Sequence, residues 1–529
     1  MRRIGALLAA LALALASCTS AATTTGQNTV LHIAQSAEPG SLDPLLLTGA
    51  PAEEIGSLLY SYLLRVDDRG RLVPDLALRV PSIANGDISA DGTTIVYRLR
   101  SGVRWHDGTL FSAADVIATY RAVMDPRNPV PTRLGFDRIR TIEAPDPLTL
   151  RVRLRVPFAP FLTYFFEPEN YPILPAHVLA ATPVLAASAL DRAPIGTGPY
   201  RLARWKRGDV LELHANPTYF GGAPHIARLD VHFTASAQTI VQELRTGELD
   251  AAFAVDPSYA EQLRANPKLR IVAAPIYGIE SLTFQTTDAA LRDVRVRRAL
   301  AAIFDFPRAI ARARHGSLST ADAARGLFTW AYRAQAHASV ERVPLPATLT
   351  LAIDASRSSD RAVAIFLQDD ARRAGVALAI VPYAPHLLYA PATERGPLES
   401  GRFQLALHAI LTGADPETAW LLACDQQPPV GFNISRYCNR DVDTALADAL
   451  GTFDRPKRIR DYARVQAAVA RDLPFITAWQ TKDIHAIPRG LRGFSPSPET
   501  PFFGVERWFL VDPSFDADLL NYPSRAPIR

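Results

Sequence analysis

Hydrophobic and polar residues alternate along the chain with two distinct periods from Val30 onward. Leu31 and Ile33 alternate with polar neighbours, and Tyr97 and Leu99 do the same. This period of two predicts strands that are buried on one face. Between such segments the apolar residues recur every three or four positions, which is the period of amphipathic helices.

One helix start is marked by Ser112 and Asp115, which have the spacing of a capping box. The helix that they open places Val116, Tyr120 and Val123 on one face. A second amphipathic helix is predicted around residues 459–469, where apolar side chains are again in register.

A complete βαβ unit is predicted further along the chain. Residues 348–353 alternate as a strand, and residues 362–374 carry apolar side chains at helical spacing. Gly375 stands where a helix commonly ends in a left-handed residue, and residues 376–381 form the next predicted strand. Such a crossover implies a parallel sheet, so the sequence predicts an α/β architecture with several lobes.

Composition is that of a large globular protein and excludes some partners. With 529 residues, 48% of them hydrophobic and 21% charged, the chain can form two or three cores. Its net charge of +4 is the small excess of 57 basic over 53 acidic residues spread along the sequence. No basic patch of the kind that binds nucleic acid is visible, so no nucleic-acid partner is expected.

The N-terminus has the pattern of an export signal. Arg2 and Arg3 precede an apolar run at residues 4–16, which is too short to span a bilayer and ends in small residues. Residues 1–17 are therefore predicted to be a signal peptide. Cys18 follows at the position of the lipidated cysteine in the lipobox of bacterial lipoproteins, which the segment resembles. An ordinary signal peptide with an incidental cysteine is the alternative.

If Cys18 is lipidated, it becomes the mature N-terminus and anchors an exported protein to a membrane surface, periplasmic or at the cell surface. Residues 18–27 are small and polar and would form a flexible tether. Cys424 and Cys438 are then the two remaining cysteines, an even number in an oxidising compartment, and a disulfide between them is predicted. Two buried free thiols are the alternative.

Motifs of enzymes are missing from the sequence. It contains no phosphate-binding glycine loop, dinucleotide fingerprint, HExxH or GxSxG pattern. His106 and Asp107 could in principle act as a base and its orienting partner in an exported hydrolase. Adjacent residues of a strand point to opposite faces, and Asp107-Gly108 suits a turn, so a structural role is favoured.

A family resemblance is carried by motifs in a fixed order along nearly the whole mature chain. The motifs are the segments EPGSLDP from Glu38, VPDLA from Val73, LRSGVRWHDGTLFSAADV from Leu99, PIGTGPY from Pro194, NPTYF from Asn216, LRTGELD from Leu244, DVRVRRAL from Asp293 and DLP from Asp472. Together they resemble the extracytoplasmic solute-binding proteins that serve peptide and nickel ABC transporters, the bacterial family 5.

The resemblance implies an α/β fold of the two-lobed periplasmic-binding-protein class (type II), with an additional domain inserted in the first lobe. Lobe I would comprise residues 28–63, 194–283 and 488–529, the extra variable domain residues 64–193, and lobe II residues 284–487. The lobes would close on a solute, and the bound form would dock on a membrane permease. The chain itself would be a monomer without cofactor or catalytic residues.

An oligopeptide is the expected solute. Peptide-binding relatives typically hold the ligand's ammonium group with a Trp-x-x-Asp segment, and residues 411–414 stand at that place here without the Trp or the Asp. Asp415 follows and could substitute for it. Asp415-Pro416-Glu417 also has the pattern of a helix start that would hold Trp420, and this cap is the favoured interpretation.

Other candidate ligand-binding residues are less specific. Arg361 lies where peptide-binding relatives can hold a carboxylate, although a solvated helix-face arginine is the simpler interpretation. Trp420, Tyr383 and Tyr389 could line a cleft or pack in a core. The 11 histidines form no cluster with ligand spacing, and no metal site is expected.

Two other functions remain open alongside hydrolysis. The chain could pass its ligand to a sensor rather than to a permease, or it could bind a sugar or a metal chelate instead of a peptide.

Overall fold

The computed structural model describes residues 29–46, 50–168, 170–182, 184–185, 188–313, 323–335 and 339–511. The predicted signal peptide, Cys18 and the tether lie outside these residues. Across the part of the chain that is described, no helix combines the length and the apolar character needed to cross a membrane.

The structure contains strands from both halves of the chain. They are β1 (Val30–Gln35), β2 (Leu64–Val66), β3 (Leu72–Pro74), β4 (Thr94–Arg98), β5 (Ile139–Asp146), β6 (Thr149–Leu154), β7 (Tyr200–Lys206), β8 (Val210–Ala215), β9 (Arg228–Phe233), β10 (Ala251–Val255), β11 (Leu269–Phe284), β12 (Thr348–Asp354), β13 (Ala377–Tyr383), β14 (Leu405–Leu411), β15 (Phe475–Pro488), β16 (Leu491–Arg492) and β17 (Phe509–Leu510).

Helices alternate with these strands. They are α1 (Ala50–Leu59), α2 (Ala113–Met124), α3 (Phe161–Tyr164), α4 (Ala176–Ala181), α5 (Ala237–Thr246), α6 (Ala260–Arg264), α7 (Val294–Ile303), α8 (Phe306–Ala313), α9 (Ala323–Phe328), α10 (Ser358–Arg373), α11 (Pro385–Leu388), α12 (Pro397–Ser400), α13 (Ala419–Leu422), α14 (Arg440–Leu450) and α15 (Arg455–Asp472).

Ten strands form one sheet that runs through the molecule in the order β13-β12-β14-β11-β15-β10-β1-β9-β8-β7. β1 is parallel to β9 and β10 in one half, and β12 is parallel to β13 and β14 in the other. The halves are joined by the antiparallel pair β11 and β15, of 16 and 14 residues. A separate sheet of three strands, β4-β6-β5, is built by the segment between α1 and β7.

The pairing of β11 with β15 is interrupted at its middle. Register shifts between Pro275 and Ile279, opposite Lys482 and Gln480. Proline has no N–H to donate to the ladder, so a break in pairing at this point follows from the sequence. Tyr277 lies within this register shift, where its carbonyl accepts a hydrogen bond from the Thr412 N–H at 3.0 Å.

Several elements predicted from the sequence are confirmed. Ser112 caps α2, and the Asp115 carboxylate accepts a hydrogen bond from the Ser112 N–H at 2.8 Å, which completes the capping box. The βαβ unit is present as β12, α10 and β13, with parallel pairing of the two strands. Gly375 follows α10 with a φ of +82°, as expected for a left-handed helix end.

Each half of the molecule has its own apolar core. One large core joins the β1–β9 region to the three-stranded sheet, and its members include Leu31, Leu229, Tyr97 and Trp105. The other half has a core between α10 and β12 and another between α14 and α15. The predicted disulfide between Cys424 and Cys438 is present, and it closes the segment between α13 and α14.

Gly196 and Gly198 allow the chain to pass directly against the end of α1. A Cβ atom at Gly196 would lie 1.9 Å from the Leu59 carbonyl oxygen, and one at Gly198 would lie 2.4 Å from the Leu59 carbonyl carbon. Because both contacts are with backbone, no side-chain rotation can relieve them. The two glycines are therefore required by close approach.

We predict that Gly196→Ala lowers the free energy of unfolding by at least about 1–3 kcal/mol, the usual cost of overpacking. Gly40→Ala is the matched control, because a Cβ at Gly40 meets nothing within 4 Å and should change stability by less than about 0.5 kcal/mol. Denaturant unfolding followed by circular dichroism measures both. Equal stability of the two variants would contradict the packing argument.

Candidate functional site

A cavity lies at the waist of the molecule, where β11 and β15 pass between the two halves. Its volume is about 730 Å³, within the usual range for small-molecule sites. Three regions line it. They are residues 68–72, 80 and 163 of the N-terminal half, residues 275–277 and 480 of the crossing strands, and residues 325, 326, 329, 330, 414, 415 and 455 of the other half, together with Pro498.

The walls of this cavity carry an excess of positive charge. Arg69, Arg71, Arg325 and Arg455 line it, against Asp68 and Asp415. The Arg455 guanidinium lies 4.5 Å from the centre of the Trp330 ring, a cation–π contact that holds it at the wall. Planar guanidinium groups of this kind suit a carboxylate, which can accept two parallel hydrogen bonds.

A second cavity of about 170 Å³ adjoins the first and shares Ile276, Tyr277 and Pro498 with it. Its walls carry the opposite charge, from four carboxyl groups and no lysine or arginine among its lining residues. The four are Glu53, Glu54, Asp483 and Glu499. His485 also lines it, and burial lowers the pKa of that ring to about 4, so the histidine adds no charge at neutral pH.

Glu54 is buried and Asp483 is half-buried, and both carboxyl groups line the acidic cavity. Burial raises the pKa of Glu54 to about 7, although a hydrogen bond from Gln35 Nε2 at 2.8 Å partly offsets this, and Asp483 acts to raise it further. Burial also raises the pKa of Asp483 to about 6. Among the residues that the structure describes, neither carboxylate forms an ion pair. A cation brought into this cavity would relieve both desolvated charges.

The cavity walls are connected across the waist by specific contacts. The Tyr277 hydroxyl donates to the Gly70 carbonyl at 3.2 Å, and the Tyr164 hydroxyl donates to Glu417 Oε2 at 3.4 Å. The Ala159 N–H donates to the Leu450 carbonyl at 2.8 Å. These bonds join the N-terminal half to the crossing strands and to the other half.

Asp415 does not cap a helix, and that expectation is wrong. Helix α13 begins at Ala419 with Thr418 as its N-cap residue, three positions after Asp415. Both Asp415 oxygens instead accept hydrogen bonds from Arg458, at 2.5 and 2.7 Å, and the two side chains are only 9% and 6% exposed. A guanidinium buried on α15 needs a carboxylate, and Asp415 supplies it from the cavity wall.

Burial opposes the charge on Arg458, but the Asp415 carboxylate outweighs this effect and raises the pKa of the guanidinium. The negative charge of Asp415 is thus already neutralised within the protein. This pairing leaves Asp415 poorly suited to hold the ammonium group of a ligand.

Arg361 is exposed on α10 and does not line either cavity. One turn earlier, Arg357 reaches the fully buried Glu280 on β11 and pairs with Asp360 at 3.2 Å. Arg357 was not predicted from the sequence. Its partner Glu280 is 77 positions away, so no local pattern marks the pair.

The three aromatic candidates are not among the residues that line the two cavities. Trp420 is partly buried, packs near Phe432 and donates from its indole N–H to the Glu417 carbonyl at 3.2 Å. Tyr383 and Tyr389 pack against a small core beside β12 and β14. Their role as ligand contacts stays a prediction.

His106 and Asp107 have separate partners and do not form a base and its orienting group. The His106 ring accepts from the Gly196 N–H and contacts the Gly198 carbonyl, both at 3.2 Å. Asp107 contacts His177 at 2.7 Å and accepts from the Thr109 N–H. Burial lowers the pKa of His106 to about 4, consistent with a neutral ring that holds the glycine loop in place.

The sequence matches the model of the bacterial extracellular solute-binding proteins, family 5 (middle), over residues 71–427. The glutathione-binding protein GsiB of Pectobacterium atrosepticum is 28% identical over 476 residues, which are 87% of this chain and 90% of that protein.

Solved structures share the fold. The ABC transporter substrate-binding protein CtaP of Listeria monocytogenes has a TM-score of 0.81 at 22% identity, covering 92% of this chain and 100% of that one. The oligopeptide-binding protein AppA of Bacillus subtilis, solved in complex with a nonapeptide, has a TM-score of 0.71 at 18% identity, covering 92% and 99%.

We predict that Asp415→Asn destabilises the fold by about 3–5 kcal/mol, because it leaves Arg458 buried without a counter-charge. The double variant Asp415→Leu with Arg458→Met should recover most of this loss. Asp425→Asn, at an exposed aspartate, is the control and should change stability little. Urea unfolding measures all three. An unchanged stability of Asp415→Asn, together with a loss of ligand binding, would instead assign Asp415 to the ligand.

Proposed function

The chain belongs to the bacterial extracellular solute-binding proteins of family 5 and has their two-lobed α/β fold, and we propose that it captures a peptide in the cleft crossed by β11 and β15. Proteins of this family act outside the cytoplasm, bind small molecules or peptides and work with ABC permeases. The family consists of binding proteins, and we propose that this chain likewise catalyses no reaction.

The observation that carries the peptide proposal is the pair of adjoining cavities with opposite charge. One is rich in arginine, and the other is lined by four carboxyl groups. A peptide is a zwitterion whose ammonium and carboxylate ends are separated by an uncharged backbone. A sugar has neither charge, and an anionic chelate would complement the arginine-rich cavity but not the acidic one.

Charge complementarity also sets an orientation. The ammonium end would lie against Glu54 and Asp483, which form no ion pair within the described part of the chain, and the carboxylate end would lie among the arginines of the first cavity. In this arrangement Glu54 of the N-terminal half and Asp483 of the crossing strands bind the ammonium group. Asp415, the residue nearest the Trp-x-x-Asp position of peptide-binding relatives, does not.

The printed ligands of similar proteins support this choice. GsiB is a glutathione-binding protein, and AppA was solved with a nonapeptide. The contacts of Tyr277 and Tyr164 across the waist would then be made on closure, so that ligand binding shifts an open–closed equilibrium toward the closed form.

Delivery to a permease and anchoring at Cys18 complete the proposal. Lipidation of Cys18 would hold the protein at the membrane through the tether of residues 18–27. More than one acyl chain is needed for lasting attachment. Mass spectrometry of the mature N-terminus from membrane extracts tests this part separately from ligand binding.

The ligand itself is tested by mass spectrometry of the solutes released when the purified protein is denatured. Peptides are expected. If only sugars or metal chelates are released, and no peptide binds on titration, the peptide proposal fails while the family assignment stands.

We predict that blocking either end of a bound peptide weakens its affinity. A charge-assisted hydrogen bond contributes about 1.5–3 kcal/mol, so N-acetylation or C-amidation should each cost about 10–100-fold. Isothermal titration calorimetry of the released peptide and its blocked forms, or of Ala-Leu-Ala as a first probe, measures this. Equal affinity of the free and blocked peptides would refute recognition by charge.

We also predict that peptide binding releases protons near neutral pH. The pKa of Glu54 is about 7 in the free protein, and a nearby ammonium group would lower it. Affinity should therefore be greatest above pH 7 and fall as the pH drops through 7 toward the lower pKa of the complex.

Calorimetry in buffers of different ionisation enthalpy counts the released protons. Glu54→Gln should abolish most of the release, while Glu248→Gln, at an exposed glutamate outside both cavities, should leave it unchanged. Proton release that persists in a folded Glu54→Gln variant would show that another group accepts the ligand's charge.

A further inference from the structure

Three metal-binding side chains meet on the outer face of the large sheet, away from both cavities. His32 is on β1, and Asp230 and His232 are on β9. The two strands are parallel, and His32 is directly opposite Asp230 in the register. Because residues two apart on a strand share a face, His232 lies on the same side as Asp230.

The opposite face of the same strands packs in the apolar core. Leu31 and Ile33 on β1 and Leu229 and Val231 on β9 are all buried in the main apolar cluster. The alternation that buries these four residues therefore fixes His32, Asp230 and His232 on the outer face.

The three side chains have the spacing of ligands around one metal ion. His32 Nδ1 is 3.2 Å from His232 Nε2 and 3.6 Å from Asp230 Oδ2, and the three ligand atoms all lie within 4.8 Å of one another. Tetrahedral zinc, with bonds of about 2.0–2.1 Å to nitrogen and oxygen, places neighbouring ligand atoms about 3.3–3.4 Å apart. The two distances from His32 Nδ1, 3.2 and 3.6 Å, are close to this value.

The surroundings orient the carboxylate and favour a cation. Arg228 donates from Nε to Asp230 Oδ1 at 2.7 Å and from Nη2 to Oδ2 at 2.5 Å, which fixes the carboxylate plane while Oδ2 keeps a further lone pair. Hydrogen-bonded carboxylates of this kind are common among metal ligands. Asp209 and Glu243 act electrostatically on His232 and add negative charge beside it.

The site is also accessible. The His32 side chain is 40% exposed, whereas the Asp230 side chain is 4% exposed and is hydrogen-bonded to Arg228. A metal can enter from solvent, and water can occupy the fourth position of a three-ligand site.

We propose that His32, Asp230 and His232 bind a divalent transition metal of the zinc class on the outer face of this sheet. Two imidazoles and one carboxylate suit Zn²⁺ and disfavour Ca²⁺ or Mg²⁺, which take oxygen ligands. The bound metal would link β1, the first strand of the described residues, to β9. The proposal does not depend on the nature of the solute in the cleft.

The test uses the full chain, produced without a polyhistidine tag, treated with EDTA and dialysed, and then titrated with Zn²⁺ by calorimetry. One Zn²⁺ per chain is expected, together with a rise in the melting temperature on zinc addition. His32→Ala and His232→Ala should each lose more affinity than the roughly 10–100-fold that removal of an outer-shell partner costs.

His214→Ala is the matched control, because His214 is exposed on β8 and shares the outer face but lies outside the cluster. It should bind zinc as the unchanged chain does. His232→Gln provides a second variant of similar size if His232→Ala does not fold, as judged by circular dichroism.

Co²⁺ gives an independent readout, since a four-coordinate site produces visible absorption that the His32 and His232 variants should lack. The proposal is overturned if the unchanged chain binds no zinc, or if both folded variants bind it as tightly as His214→Ala does.

Discussion

The antiparallel pairing of β11 with β15 is the constraint on which the two halves and the cleft depend. These strands supply the middle of the ten-stranded sheet: β15 pairs with β10 of one half, and β11 pairs with β14 of the other. A fully paired ribbon would be stiff and would leave no polar backbone at the waist. Pro275 interrupts the ladder there, and the shifted register directs Tyr277 to the point where both cavities meet.

The net charge of each cavity at the waist depends on which of its carboxylates are paired with a cation inside the protein. Asp415 and Arg458 satisfy each other with two hydrogen bonds, so this pair contributes no net charge to the cavity that Asp415 lines. Desolvation raises the pKa of Glu54 and of Asp483, and neither forms an ion pair with any residue that the structure describes. Desolvated carboxyl groups cost free energy in the empty cleft, and a cationic group on a ligand can recover part of that cost. On the proposed function, these acids lower the stability of the unbound protein and strengthen the binding of a cationic group.

The sequence correctly predicted the structural features that are determined by residues close together along the chain. The capping box of Ser112 and Asp115 and the alternation in the βαβ unit are confirmed because a few adjacent positions determine them. The cap predicted at Asp415 was wrong because Arg458, 43 positions later, competes for that carboxylate. The acidic cavity was missed for a related reason. Glu54 and Asp483 come from α1 and β15, and only the folded sheet brings them to one cavity.

The histidines on the large sheet differ in whether they face the core or the outer surface. His408 is fully buried on β14, with Nε2 2.9 Å from Thr283 Oγ1, and burial lowers its pKa to about 4, so packing accounts for it. His32 and His232 instead share an outer face, where no core requires them. Their spacing in the sequence gives no sign of a site, since only the parallel register of β1 and β9 brings residues 200 positions apart to 3.2 Å. A sheet assembled from distant strands can therefore place ligands together that no linear motif would reveal.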